Sequence, residues 1–205
     1  MPQVEFAEFV EQVRTGVALI SFPTDTVPAL AARPDQSDRI YATKERPADK
    51  PLILMGATLA DLLPYVSGTD ADIAVWQQMA EQYWPGALTL VLPASDRLPP
   101  QMNPLQTGTI GIRVPNHALA RHLLAHTGPL ATTSVNRSGQ TALEDMGDIA
   151  AQFPELLLLS QAAIAELKTQ LGEFSQIASG IPSTVIRWQS QAWQVLRQGS
   201  VQIYE

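Results

Sequence analysis

The chain has 205 residues, 45% of them hydrophobic and 16% charged, a globular composition with material for one core rather than two ordinary domains. A net charge of −7 excludes broad binding of nucleic acid over the whole surface, so phosphate recognition must be local. The absence of cysteine excludes disulfides, thiolate zinc sites and thiol nucleophiles, and no apolar run reaches the roughly 18 residues of a membrane span.

The first segment carries Glu5, Glu8 and Glu11 and lacks the basic and apolar regions of a signal peptide, so a cytoplasmic protein with no membrane association is expected. Val4, Ala7, Val10 and Val13, extended by Phe6 and Phe9, predict an amphipathic helix over 3–15, ended by Gly16. Val17 to Phe22 then predicts a buried strand, stopped by Pro23. Further strands are predicted at 51–55, 87–92, 109–114, 129–132, 156–159, 183–188 and 193–196. Helical stretches are predicted at 36–44, 58–64, 70–83, 117–126, 145–152 and 161–171. Strands and helices alternate without a repeat or a linker, so the expectation is an α/β fold with a mixed sheet, in one domain over 1–205.

Several predicted strands end in polar residues. Pro23-Thr24-Asp25-Thr26 follows the first, Arg113 and Pro115-Asn116-His117 close another, and Thr133-Ser134-Val135-Asn136-Arg137-Ser138-Gly139 closes a third. In open α/β sheets ligands gather beyond the carboxyl ends of strands, so these segments could converge on one pocket. Ordinary turn chemistry explains each of them taken singly.

Lys44, Arg46 and Lys50 place three cations within seven residues of an acidic chain, a pattern suited to a polyphosphate. A solvated loop, with Glu45 and Asp49 pairing locally, accounts for it equally well. The serine-rich segment 134–139 suits close approach of a phosphate or ribose, yet it is neither a Walker loop nor a Rossmann fingerprint.

Other chemistries are disfavoured. His122 and His126 share a helix face, but without an H-E-x-x-H motif a solvated face is the better reading. No G-x-S-x-G elbow is present. Trp84-Pro85-Gly86 reads as a turn whose tryptophan is packed.

Six motifs, in order, carry a family resemblance: Pro23-Thr24-Asp25-Thr26-Val27; Lys44-Glu45-Arg46-Pro47 with Lys50-Pro51-Leu52-Ile53; Trp84-Pro85-Gly86-Ala87-Leu88-Thr89; Thr109-Ile110-Gly111-Ile112-Arg113-Val114-Pro115; Ser134 to Gly139; and Ser183-Thr184-Val185 with Leu196-Arg197-Gln198-Gly199. The chain resembles the YrdC/YciO family of threonylcarbamoyl-AMP synthases. The resemblance implies a twisted mixed parallel/antiparallel sheet with flanking helices around a concave, positively charged site.

It also implies roles at matching positions. Thr26, Arg113 and Ser183 would hold threonine; Arg46, Lys50, Thr109, Thr132, Ser134, Asn136 and Arg197 would hold ATP; and Lys44 with Arg46 would shape the catalytic phosphate field. The implied reaction joins L-threonine, bicarbonate and ATP: a carbamate oxygen attacks the α-phosphate and pyrophosphate leaves. Magnesium would accompany ATP, with no dedicated metal site. A partner transferase would then modify tRNA.

Some positions depart from the family. Pro28-Ala29 replaces Tyr-Gly, Gln140-Thr141-Ala142 departs from an ATP-contacting segment, Met55 stands where some members place histidine, and the apolar spacing within 155–182 suggests an added helix. A divergent paralogue acting as an RNA-binding or ribosome-maturation factor, with weak or no synthase activity, is the alternative. The net charge of −7 argues against it.

Overall fold

The computed structural model describes residues 3–137 and 140–203. The elements run β1 (Gln3–Val4), α1 (Phe6–Arg14), β2 (Ile20–Phe22), β3 (Ala29–Ala32), α2 (Asp38–Lys44), β4 (Ile53–Met55), α3 (Leu59–Leu62), α4 (Asp70–Tyr83) and β5 (Leu88–Pro93). They continue with β6 (Thr109–Arg113), α5 (Ala118–Thr127), β7 (Leu130–Ser134), α6 (Met146–Gln152), β8 (Leu158–Leu159), α7 (Gln161–Leu171), β9 (Thr184–Gln189) and β10 (Ala192–Arg197).

Eight strands form one sheet in the order β10-β9-β5-β6-β4-β7-β3-β2. The pairs β4/β6 and β5/β9 are parallel and the other five are antiparallel, which is the mixed α/β sheet expected. β1 and β8 pair separately in parallel.

Strand alternation divides the core in two. Leu30, Leu54, Leu90, Ile112, Ala131 and Ile186 face one side, where Ile40, Leu62, Trp76 and Phe153 cover them. Ile20, Phe22, Ala29, Ala31, Met55 and Leu130 face the other, covered by α1, α5 and α7 through Phe9, Val13, Leu123 and Leu167. On this second face, β5 and β6 carry Thr89, Gly111 and Arg113 rather than large apolar groups. The second apolar cluster stops short of them, and this polar stretch of sheet is where the site lies.

Two helices, 70–83 and 161–171, have the bounds read from the sequence. The strand predicted from Val17 begins only at Ile20. The N–H groups of Val17 and Ala18 fold back onto the Gln12 carbonyl, at 3.1 and 3.2 Å, and Val17 is 67% exposed. The helix predicted over 3–15 starts at Phe6, because Gln3 and Val4 pair with Leu158 and Leu159. β3 was absent from the sequence reading. Ala-Leu-Ala-Ala has little strand propensity, and the segment is extended because β2 and β7 flank it in the sheet.

Candidate active site

The register of four strands builds a floor. Ser134 pairs with Ala29, Thr132 with Ala31 and Ile53, and Arg113 with Met55. With period-two alternation, Ala29, Ile53, Met55, Arg113, Thr132 and Ser134 all point to the same face. They line a cavity of about 320 Å³, together with Thr24 and Thr26, Arg46, Asn136, Ser183 and Arg197. The volume is in the range of small-molecule sites.

Of the residues singled out from the sequence, Thr26, Arg46, Arg113, Thr132, Ser134, Asn136, Ser183 and Arg197 share this cavity. Lys44, Lys50 and Thr109 do not line it. Lys50 is exposed on its loop. Thr109 starts β6, four residues before Arg113, opposite Pro93 and with its hydroxyl 3.4 Å from that of Thr107. Ser138 and Gly139, the end of the serine-rich motif, lie outside the described residues.

Arg113 anchors one end. It is 4% exposed, and three protein acceptors hold its guanidinium. Nε donates to the Gly86 carbonyl at 3.0 Å, Nη1 to Thr26 Oγ1 at 2.8 Å and Nη2 to Asp25 Oδ1 at 2.7 Å. The Trp84-Pro85-Gly86 turn thus supplies a backbone oxygen, while Trp84 itself donates to the Leu88 carbonyl at 2.7 Å. A guanidinium has five N–H donors, so among the described residues one N–H remains on each Nη. That pair matches the two oxygens of a carboxylate. Burial pulls the Arg113 pKa down, Asp25 opposes the fall and Arg197 adds to it.

Arg197 approaches from β10 and fixes Ser183. Its Nε and Nη2 donate to the Ser183 carbonyl at 3.2 and 2.8 Å. The Ser183 hydroxyl also meets Thr89 Oγ1 at 2.9 Å. Thr89, fully buried on β5, was not singled out in the sequence. Its position within the Trp-Pro-Gly-Ala-Leu-Thr motif was the available signal.

The other end is a loop held from beneath. Lys44 is 1% exposed, and its ammonium donates to the Ser134 carbonyl and, at 2.9 Å, to Asn136 Oδ1. Asn136 Oδ1 also accepts from Ser134 Oγ at 2.6 Å, while its amide donates to the carbonyls of Arg137 at 2.8 Å and Gln140 at 2.7 Å. All four side-chain hydrogen-bonding positions of Asn136 are engaged, three within the loop and one by Lys44 of α2. Lys44 and Asn136 are therefore the struts of this loop. Burial first, and Arg46 second, bring the Lys44 pKa down to about 7.

Arg46 sits on the loop after α2. Glu45 takes a left-handed conformation (φ 51°), which stops the helix and turns the chain towards the cavity. Arg46 Nε and Nη2 donate to the carbonyls of Lys50 and Pro51 at 2.9 and 3.1 Å, leaving three N–H donors. Glu45 pairs with Arg137 at 3.4 Å rather than with its own loop.

The departures from the family pattern fit this frame. Ala29 is not among the residues with positive φ; it is ordinary strand, and the Pro28 carbonyl accepts the Val135 N–H at 3.2 Å. The helix expected within 155–182 is α7. The His122 and His126 rings lie 4.4 Å apart on a helix face, tilted to each other, and Phe6 packs against both, edge-on to His126.

His117 ties a further segment to the site. Its Nδ1 accepts the Ala120 N–H at 3.3 Å, so its Nε2–H donates to the Ser175 carbonyl at 2.7 Å. The segment beyond Ser175 bonds the site motif through Gly180 N–H to the Thr26 carbonyl, at 2.9 Å. Burial holds the His117 pKa below its usual value. Because the folded pKa is the lower one, the stability this ring contributes is complete above about pH 6.5 and is lost as pH falls through the folded value. The unfolding midpoint should therefore drop on acidification below about pH 6.5, and His117→Asn, which keeps the helix cap, should lessen that drop. An identical drop in the variant would place the acid sensitivity elsewhere.

Comparison with known proteins decides the family. The Sua5_yciO_yrdC family, described as Telomere recombination, matches residues 12–199. The chain belongs to this family. The threonylcarbamoyl-AMP synthase of Chromohalobacter salexigens is 33% identical over 162 residues, covering 77% of this chain and 85% of that protein. The synthase of the same name from Vibrio cholerae is 35% identical over 164 residues, covering 78% and 84%.

Among solved structures, P. abyssi Sua5 complexed with L-threonine superposes with a TM-score of 0.78 at 28% identity. That match covers 95% of this chain and 54% of that one, so this chain spans about half the length of the solved Sua5. E. coli YciO, at 24% identity and a TM-score of 0.76, shares the fold.

Proposed function

We propose that this member of the Sua5/YciO/YrdC family is a threonylcarbamoyl-AMP synthase, forming threonylcarbamoyl-AMP and pyrophosphate from L-threonine, bicarbonate and ATP. The observation that carries this reading is the two-ended cavity. One end presents the two remaining N–H groups of Arg113 beside the hydroxyls of Thr26 and Ser183. The other presents Arg46 and Ser134 at a loop strutted by Lys44 and Asn136, and Arg197 of β10 lines the cavity beside Ser183.

Arg113 takes the threonine carboxylate end-on, with Thr26 and Ser183 beside the rest of the amino acid. The threonine amine and bicarbonate condense to a carbamate with loss of water. The carbamate oxygen attacks the α-phosphorus of ATP, the bond to the β-phosphate oxygen breaks, and pyrophosphate departs. No covalent protein intermediate is required. The work of the chain is to position three reactants and to oppose negative charge with Arg46 and Arg197. Thr132, on the cavity floor, completes the proposed nucleotide contacts; Lys50 and Thr109, expected to hold ATP from the sequence, lie outside the cavity lining.

Magnesium enters as the ATP chelate. Among the described residues no cluster of three His, Asp or Glu side chains is set to hold a metal ion. The cavity offers arginines and hydroxyls, which suit phosphate rather than the cation itself.

In this reading a transferase that modifies tRNA consumes the product, and the activity is a cytoplasmic one. No helix among the described residues is long and apolar enough to cross a membrane.

Pyrophosphate release, measured with threonine or bicarbonate omitted in turn, tests the proposal: release should require both. RNA binding with a steep salt dependence and no such release would contradict it. Arg46→Ala should raise the KM for ATP by about tenfold or more, at about 1.4 kcal/mol per tenfold, while the unfolding midpoint barely moves, because the loop lies at the surface. A KM at the wild-type value would remove Arg46 from the nucleotide end.

A further inference from the structure

The threonine set inferred from the sequence is Thr26, Arg113 and Ser183. Asp25 lies between two residues of the motif and is not in that set. Its carboxylate does not line the cavity. It pairs with Arg113 Nη2 at 2.7 Å, with the two side chains 5% and 16% exposed.

A guanidinium is planar, so its fixed N–H contacts together determine where its remaining donors point. Gly86 holds Nε and the Thr26 hydroxyl holds Nη1, both as neutral acceptors. Asp25 is the third contact and the charged one, and a charge-assisted hydrogen bond is about twice as strong as a neutral one. It also stands against a buried cation that has Arg197 as a neighbour of like charge.

Asp25 is itself held. The Thr24 and Thr26 hydroxyls meet across it at 3.2 Å, Thr24 Oγ1 donates to the Val27 carbonyl at 2.7 Å, and the Asp25 carbonyl accepts the Ser179 N–H at 3.4 Å. A carboxylate facing into the cavity would repel an incoming carboxylate. Placed outside it, Asp25 orients the arginine without opposing the ligand.

We propose that Asp25 is a positioning residue of the amino-acid site: its carboxylate holds the Arg113 fork in the orientation that leaves one N–H on each Nη free for the carboxylate of an amino-acid substrate. This rests on the synthase reading above. It adds that recognition of the substrate carboxylate depends on an anion that the substrate never touches.

The test compares binding of L-threonine with binding of L-threonine methyl ester, which lacks the carboxylate charge, to wild-type protein and to Asp25→Asn. The wild type should prefer threonine strongly. In Asp25→Asn the fork is no longer fixed by charge, so the threonine-to-ester preference should fall by about tenfold or more, at about 1.4 kcal/mol per tenfold. The KM for ATP should stay within about twofold, and Asp25→Glu should restore most of the preference.

A merely structural role would weaken threonine, ester and ATP together and leave the preference intact. That result, or a wild-type preference in Asp25→Asn, overturns the proposal. Asp25→Ser is a second uncharged variant read by the same ratio should the asparagine variant not fold. Wild-type protein that releases no threonine-dependent pyrophosphate would overturn the synthase reading instead, whatever the variants do.

Discussion

Arg113→Lys should lower kcat/KM for threonine by about 10² to 10⁴, while the protein stays folded. The reason is a count of donors. Arginine has five N–H groups, and Gly86, Thr26 and Asp25 engage three of them. A lysine ammonium has three. It keeps a positive charge near Asp25, but it is one nitrogen in place of three, and with its few N–H groups drawn to the protein acceptors it cannot present a fork to a ligand. Two charge-assisted hydrogen bonds to the threonine carboxylate are lost, each about 1.5–3 kcal/mol.

Arg113→Ala is the less informative change. It strands the Asp25 carboxylate, and breaking a buried pair costs about 3–5 kcal/mol of stability. Steady-state kinetics with threonine varied, alongside thermal unfolding, separates the two variants. Wild-type kinetics in Arg113→Lys would remove Arg113 from the amino-acid site.

Lys44→Met should act at the opposite end of the cavity. Methionine has nearly the length of lysine but no donor. Both the Ser134 carbonyl and Asn136 Oδ1 then lose the ammonium that ties them to α2. The expected result is a fall of about 10² in kcat/KM for ATP, since donors of this charged kind are worth about 1.5–3 kcal/mol each.

Stability should change less than activity. The Lys44 pKa falls from 10.5 to about 7 on burial, so the native state already disfavours the charge it carries. By linkage, a depressed folded pKa means that stability lost through this group is regained as pH rises from about 7 towards 10.5. Removing the amine removes that cost and offsets part of the lost bonding. A fall in ATP efficiency no larger than the fall in threonine efficiency would contradict a role confined to this loop.

Much of the fold was legible from periodicity. Helices at 70–83 and 161–171 carried clear start signals: Thr69 with Asp72 in a capping box, and Ser160 accepting the Ala163 N–H at 3.0 Å. β3 was not legible, because four small residues become a strand only when neighbours on both sides pair with them. Strand order was equally hidden. Whether β4 lies between β6 and β7 depends on crossovers that no local pattern encodes.

The site was legible as a set of segments and not as a geometry. Polar residues at strand ends marked Thr26, Arg113 and Ser134, and the cavity unites them. The basic cluster 44–50 read as three cations all serving a polyphosphate. The structure separates them: Arg46 lines the cavity, Lys44 props a loop, and Lys50 is exposed. That distinction follows from the helix end at Glu45. Lys44 stays on α2 facing the core, and the next residue leaves the helix. Asp25 was named in its motif but given no role, because its contact is with a residue 88 positions away.

The most direct measurement is a crystal structure of the protein with L-threonine and a non-hydrolysable ATP analogue. The threonine carboxylate should lie within hydrogen-bond distance of both Arg113 Nη atoms, with Asp25 still on Nη2 and the phosphates against Arg46 and the 134–136 loop. Either ligand found outside the cavity floored by Ala29, Ile53, Met55 and Thr132 would contradict the account.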